Sequence, residues 1–594
     1  MSAEAPENLL REWSRLVAAT LVGQGISRVV MSPGSRSTPY VVALAARPEL
    51  DCIDVVDERC AAFMALGMAR ASGQPTALLC TSGTAVAHWY PAVIEASMSD
   101  VPLLLLSADR PFELLDCGAP QTIDQTKIFG DHVRHFVETG SPEASDLALR
   151  GLRAALVRAI ARTRGPRPGP VHVNLRARKP LEPRAPFTDA GHALASRAEA
   201  LMALPPTLVP TPRVTVEGEL VADAASLLHA ARRPLIVVGP LPVSAAEDGT
   251  REAVWALARA LGAPVYAEAT SQCRFVGPEP TGVTRLDAFD LLLGSAPDLA
   301  PDAILQVGAP PVASAFERHL AAHPSVLHVV LGVGSHVDPL GRAQAVVMGH
   351  RLPTLQAFTR ALEGTTRDDG WLAQIAALHA RALHALDDER ADPVLGEGAV
   401  AHAVVEALPE AGWLTVGNSL PIRMIDRFAH GPGRPSFKVL SQRGANGIDG
   451  LISAALGVSR TSSAPGVLLL GDLSALHDLG ALASASLARA PLAVVLVQNG
   501  GGRIFETLPV AREPSTAWAL PHFTTPTTLQ FDALARGFGV PHVEVRDRAG
   551  LQGALQASLA RPGLTLIEAV VPAHGASASL GRIASRCASF AAER

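Results

Sequence analysis

The 594-residue sequence has no apolar run long enough to cross a bilayer. VPLLLL and PLAVVLV fall far short of the roughly 20 residues that a spanning helix needs. Membrane insertion is therefore not expected. The six cysteines (Cys52, Cys60, Cys80, Cys117, Cys273, Cys587) include no C-x-x-C pair and no metal-finger spacing, which suits reduced, buried thiols in an intracellular compartment. Lys and Arg form no run longer than two, and the formal net charge is −5, so the concentrated basic surface of a general nucleic-acid binder is not expected. Neither a G-x-G-x-x-G fingerprint nor a P-loop stands in a supporting strand-turn-helix context. The opening MSAEAPENLLREWSRLVAATLVGQG puts acids before an amphipathic helix and lacks the basic start and apolar core of a signal peptide, so a cytoplasmic location is expected.

What is present is a chain 48% hydrophobic and 18% charged, enough for several domains with ample core. Short apolar strands alternate with helical patterns: RVVMSPGS, TALLCTSGTA, VPLLLLSADRP and PGPVHVNLR early; RRPLIVVGP, APVYAEA, AILQVGAPP, SVLHVVLG and AQAVVMG in the middle; WLTVGNS, SFKVLSQRG, GVLLLGD, PLAVVLVQN and LTLIEAVV late. Such alternation predicts an α/β chain of three sequential domains, each a mainly parallel sheet covered by helices. The expected divisions are residues 1–185, a Pro- and Ala-rich linker over 186–215, a central domain over 216–385, and a last domain over 386–594.

Two segments of the last domain carry chemistry. VLLLGDLSALHDL ends an apolar strand in an acid, and about one βα unit later AVVLVQNGGGRIFETLP ends the next strand in an Asn-Gly turn. Mg²⁺ prefers oxygen ligands and is usually held by one or two carboxylates together with phosphate oxygens. Asp472 supplies charge, Asn499 a side-chain carbonyl, and Gly501 a backbone carbonyl that a glycine turn allows to approach closely. ALHDLGALASASLARA is expected to run as a helix whose N-terminus favours an anion. An acid after a buried strand is, taken alone, more often a cap or turn residue; the paired spacing is what points to a cation and diphosphate cradle.

This pairing resembles the signature of thiamine-diphosphate enzymes, with Leu473 where many members have Gly and Gln498 in place of a first Asn. The resemblance implies thiamine diphosphate as cofactor, with Mg²⁺ or Mn²⁺ on Asp472, Asn499 and Gly501. Cofactor contacts would come from Gly471, Asp472, Leu473, Ser474, Asn499, Gly501 and Ile504. In DVVDERCAAFMALG, Glu58 sits just after a strand at the start of an amphipathic helix, where an acid ordinarily serves the helix dipole. By resemblance it is the catalytic carboxyl that hydrogen-bonds the aminopyrimidine ring, chosen over its neighbour Asp57 for its strand-Glu-helix context. In that superfamily the site lies between subunits, which implies a homodimer or a dimer of dimers.

VMSPGSRSTPYVVALA, CTSGTAVAHWYPAVIEAS, PLLLLSADRPFELLDCGAPQTIDQ, GNSLPIRMID and QRGANGIDGLISAALG together resemble the 2-succinyl-5-enolpyruvyl-6-hydroxy-3-cyclohexene-1-carboxylate synthase family of menaquinone biosynthesis. That family joins 2-oxoglutarate to isochorismate with loss of CO₂. Both partners are dicarboxylates, and arginine binds a carboxylate with two hydrogen bonds while staying charged when desolvated. The resemblance offers Arg36, Arg110, Arg423 and Arg443 as substrate cations, Ser35, Gln121 and Ser419 as neutral partners, and Ile448 as the apolar wedge that bends the cofactor. Ile504, Phe505 and Leu508 would wall the reacting carbon, although core packing is an equally ordinary role for them. Pro120 departs from the family pattern, as do Ser314 and Ala315, where some members carry basic residues; Arg318 and Arg285 are alternatives for that charge. The rivals are a carboligase of the acetolactate-forming kind, disfavoured by the arginine set, and a noncatalytic α/β regulatory binding protein, disfavoured by the retention of Glu58 with Asp472.

Overall fold

The short Val- and Leu-rich runs form three all-parallel sheets in a computed structural model that describes residues 5–295, 300–332, 337–365 and 369–592. The first sheet contains β1 (Arg28–Met31), β2 (Asp51–Asp54), β3 (Thr76–Cys80), β4 (Leu103–Asp109), β5 (His135–Glu138) and β6 (Pro170–Arg176), in the order β2-β1-β3-β4-β6-β5. The second contains β7 (Pro234–Val238), β8 (Val265–Ala267), β9 (Ala303–Val307), β10 (Leu327–Gly332) and β11 (Ala345–Met348), in the order β11-β10-β9-β7-β8. The third contains β12 (Trp413–Val416), β13 (Lys438–Ser441), β14 (Gly466–Gly471), β15 (Pro491–Gln498), β16 (His542–Val545) and β17 (Gly563–Val570), in the order β13-β12-β14-β15-β17-β16. The fold class is the α/β arrangement expected. The first and third sheets share one winding, a repeat of topology without a short repeat of sequence.

The strands absent from the sequence expectation are β5 and β16. Both are four-residue edge strands with mixed burial, so neither carries the continuous apolar run that marks a central parallel strand. By contact, the chain divides into two units, one of Met1–Pro212 with Gln442–Thr461 and one of Arg213–Ser441 with Ser462–Arg594. The stretch expected as linker holds the helix Asp189–Met202. Its cap, Thr188, accepts from the Gly191 N–H, and Glu7 accepts from the N–H groups of Phe187 and Thr188. Residues 205–217 carry no helix or strand.

In the first unit, the helix Leu451–Thr461 lies directly on the helix Glu58–Ser72. A Cβ on Gly67 would stand 2.0 Å from the Ala454 carbonyl oxygen, and one on Gly457 would stand 2.1 Å from that of Met64. Only glycine permits this backbone approach. Arg460 adds an ion pair to Asp51 at 2.7 Å.

Candidate active site

Open parallel sheets bind ligands beyond the carboxyl ends of strands where the winding reverses. In the first sheet that point lies between β1 and β3; two predicted residues follow β1 and two lie in the chain beyond β4, the other neighbour of β3. Arg36 follows β1, in the turn Ser35–Ser37; it is buried, and its Nη1 donates to the Ala177 carbonyl at 2.7 Å. Ser35, beside it, is exposed. Arg110 follows β4, is buried, and donates to Ser82 Oγ just past β3. Gln121 adopts a left-handed backbone (φ 55°) and donates from Nε2 to the Ser82 carbonyl at 3.0 Å.

No ion pair engages Arg36 or Arg110 among the described residues. The acid between them in sequence space is otherwise occupied: Asp109 pairs with fully buried Arg176 at 3.0 Å and accepts from Asn174 at 2.9 Å. Arg176 also pairs with Glu138, donates to the Arg110 carbonyl at 2.6 Å, and lies over the Phe112 ring. Burial lowers the pKa of both Arg36 and Arg110, and Arg36 is lowered further by the Arg110 charge, with Asp109 acting in the opposite direction. Two desolvated cations that feel each other's charge are an arrangement suited to an anion. Sequence reasoning missed the support beneath them. His172, Asn174 and Arg176 fall at alternate positions of β6, so they share one face; polar residues repeating every second place in an apolar strand were the available signal.

Glu58 begins its helix after β2, and Asp57 is the N-cap, accepting from the N–H groups of Arg59 and Cys60. The two acids thus have different local duties. Asp57 is spent on the helix end, while Glu58 is half-buried, and its charge reaches Cys80 at the end of β3, whose thiol is pushed up chiefly by burial. Arg443 and Ile448, both half-buried, belong to this same unit through the segment Gln442–Thr461. Buried Glu95, also unforeseen, holds the start of that segment: it accepts from the N–H groups of Gly444 (3.0 Å) and Ala445 (2.7 Å) and pairs with Arg70 at 2.8 Å. Gly450 (φ 66°) passes so close to Phe63 that a Cβ would stand 1.9 Å from the ring.

In the second unit the winding of the third sheet reverses between β12 and β14, and predicted residues again follow those strands. Ser419, after β12, adopts φ 71° and caps the helix Leu420–Phe428, while Arg423 donates from Nη1 to its carbonyl at 2.6 Å. A non-glycine residue in that region is a local strain of the kind that gathers at functional sites. Asp472, after β14, is buried; burial raises its pKa, against the N–H groups of Gly501 (2.8 Å) and Leu473 (2.7 Å) that it accepts. Ser474 is buried beside it, and Gly471 and Leu473 are half-buried.

Asn499, after β15, is buried; its Nδ2 donates to Glu397 at 2.8 Å, and its Oδ1 is buried with no partner among the described residues. Burial pushes the Glu397 carboxyl up to about 7, opposed by that hydrogen bond and helped by the charges of Asp472 and Glu506. The Gly501 carbonyl accepts from the Arg503 N–H at 2.8 Å. An orphaned amide oxygen and a buried carboxylate suit a hard divalent cation. Ile504 packs on the core of this unit, Phe505 lies near Phe523, and Leu508 is exposed.

One expectation here is corrected. The segment after Asp472 is not one helix but a six-residue helix, Asp472–His477, followed by a 3₁₀ stretch, Leu479–Leu487. Asp478, which is buried, and Gly480, which is exposed, are both poor helix formers and stand at the break.

Comparison with known proteins gives these residues a context. Residues 11–128 match the thiamine pyrophosphate enzyme N-terminal TPP binding domain, and residues 433–569 match the C-terminal TPP binding domain. A 2-succinyl-5-enolpyruvyl-6-hydroxy-3-cyclohexene-1-carboxylate synthase from Sorangium cellulosum is 44% identical over 97% of this chain and 95% of its own. Synthases of the same name from Myxococcus xanthus (40% identical, 93% and 90% covered) and Halobacterium salinarum (36%, 97% of both) extend the likeness. The chain belongs to this synthase family. A solved structure from Mycobacterium smegmatis shares the fold, with TM-score 0.68 at 19% identity over 93% of this chain and 98% of that one.

Within the synthase family this chain's departures now have positions. Arg285 is buried and bound to Asp287 (2.8 Å) and Glu279 (3.1 Å), so its charge is already matched. Arg318 is exposed and donates to Ser314 Oγ at 2.7 Å, while the Ala315 N–H is taken by Asp290. No described helix is long and apolar enough to cross a membrane.

Proposed function

We propose that this synthase-family chain decarboxylates 2-oxoglutarate and adds the remaining four-carbon unit to isochorismate, with thiamine diphosphate and Mg²⁺ or Mn²⁺ as cofactors and a homodimer or dimer of dimers as the working form. Three domains, divided near residues 185–215 and 386, are part of this reading. The observation that carries it is the pairing of buried Asp472 after β14 with the partnerless Oδ1 of Asn499 after β15, an arrangement suited to a cation that binds diphosphate.

Asp472 and Asn499 would hold the metal, with Gly501 contributing its carbonyl. Thiamine diphosphate held there would supply the nucleophilic carbon that decarboxylation of a 2-oxoacid needs. Glu58, free of the capping duty that Asp57 performs, would share a proton with the cofactor's pyrimidine ring. Arg36 and Arg110 would take one substrate carboxylate, with Ser35 and Gln121 beside them. Arg423, Ser419 and Arg443 would serve another, and Ile448 would set the cofactor's bend.

The test is to incubate purified protein with thiamine diphosphate, Mg²⁺, 2-oxoglutarate and isochorismate, omitting each in turn, and to identify the product by mass. The expected product forms only in the complete mixture. Turnover of 2-oxoglutarate that is indifferent to isochorismate, with no adduct, would overturn the proposal. Light scattering on the purified protein tests the dimer.

A further inference from the structure

Glu397 is buried, was not foreseen from the sequence, and has no part in the chemistry above. It begins the helix Glu397–Ala407 and sits near the charges of Asp472 and Glu506. Glu506 is itself matched by Arg503 and His574, each at 2.9 Å. The hydrogen bond that Glu397 accepts comes from Asn499 Nδ2.

An asparagine side chain has two chemically opposite ends of nearly equal shape, and only its oxygen can ligate a cation. Here the amide nitrogen is turned toward Glu397, whose carboxyl oxygen accepts from it at 2.8 Å. The oxygen is thereby left on the other side, where it is buried and partnerless. We propose that Glu397 is a positioning residue that fixes the Asn499 amide with Oδ1 presented to the divalent cation. This rests on the reading of Asp472 and Asn499 as cation ligands.

Partners that orient ligands in this way typically contribute ~10–100-fold to metal affinity. The experiment is a calorimetric titration of Mg²⁺ into the whole protein at saturating thiamine diphosphate. Glu397→Gln can turn either end of its own amide to Asn499, so the Mg²⁺ affinity should fall by that factor. Asn499→Asp sets two carboxyl groups against each other and should fall further. The double variant Glu397→Gln with Asn499→Asp restores a donor-acceptor pair with polarity reversed and should regain at least about tenfold over Asn499→Asp alone. A general loss of packing would not be repaired by that second change. Wild-type affinity in Glu397→Gln, or a double variant no tighter than Asn499→Asp, overturns the role of Glu397. Wild-type affinity in Asn499→Ala instead overturns the ligand assignment itself.

Discussion

At Glu58 and Asp57, two adjacent acids are separated by the backbone rather than by their chemistry. Asp57 has the extended conformation of a cap and spends its carboxylate on two N–H groups, whereas Glu58 is already helical and its longer side chain is uncommitted to the cap. Glu58→Gln should therefore leave cofactor binding intact and lower turnover by about 10²–10⁴-fold, the usual size of an acid-base contribution; calorimetry with thiamine diphosphate and single-turnover kinetics would check both halves. Arg110 is a buried cation whose own neighbour Asp109 is bound to Arg176. Arg110→Ala should cost ~2–5 kcal/mol in kcat/KM, the usual loss when a desolvated carboxylate is left without its partner. Unchanged kinetics for both 2-oxoglutarate and isochorismate would remove Arg110 from the site.

At the scale of elements, the segment Gln442–Thr461 is fastened at several points to the unit that carries Glu58. Glu95 grips its start, Gly450 admits Phe63, and its helix meets the Glu58–Ser72 helix backbone to backbone at Gly67 and Gly457. Gly67→Ala would drive a methyl into the Ala454 carbonyl, and overpacking of that kind costs about 1–3 kcal/mol. The expected outcome is a lower Tm together with a loss of turnover larger than the loss of folded protein at assay temperature, because Arg443 and Ile448 move with the displaced segment. A melt and rate equal to wild type would show that the helices can separate at no cost.

For the whole molecule, acid response follows from histidines shut away from water. Burial lowers the pKa of His172 and His430 to about 3 and that of His379 to about 4. Below their ordinary value near 6.5 the unfolded chain takes up protons that the folded chain refuses, so their contribution is fully present above about 6.5 and is lost as pH falls toward 3–4. Among the described residues, His430 has no hydrogen-bond partner on either ring nitrogen. His430→Leu should therefore gain stability relative to wild type on acidification, by at most roughly 1.4 kcal/mol per pH unit below 6.5. Chemical denaturation at pH 7 and pH 5 measures the difference, and a constant gap between the two proteins would refute it.

The sequence by itself determined the three parallel sheets, because each central strand is a continuous apolar run bounded by turn residues. It also identified the acids and amides at strand ends, since their spacing along the chain is that of one βα unit. Edge strands β5 and β16 escaped because a half-exposed strand has no such run, and the break at Asp478 escaped because two weak helix formers, Asp478 and Gly480, stand inside an otherwise helix-favouring, Ala- and Leu-rich run. Only the tertiary structure decided what Glu95, Asn174, Arg176 and Glu397 do. Their partners lie far away in sequence, and a buried polar group acquires its role from whichever donor or acceptor the fold places within hydrogen-bond reach.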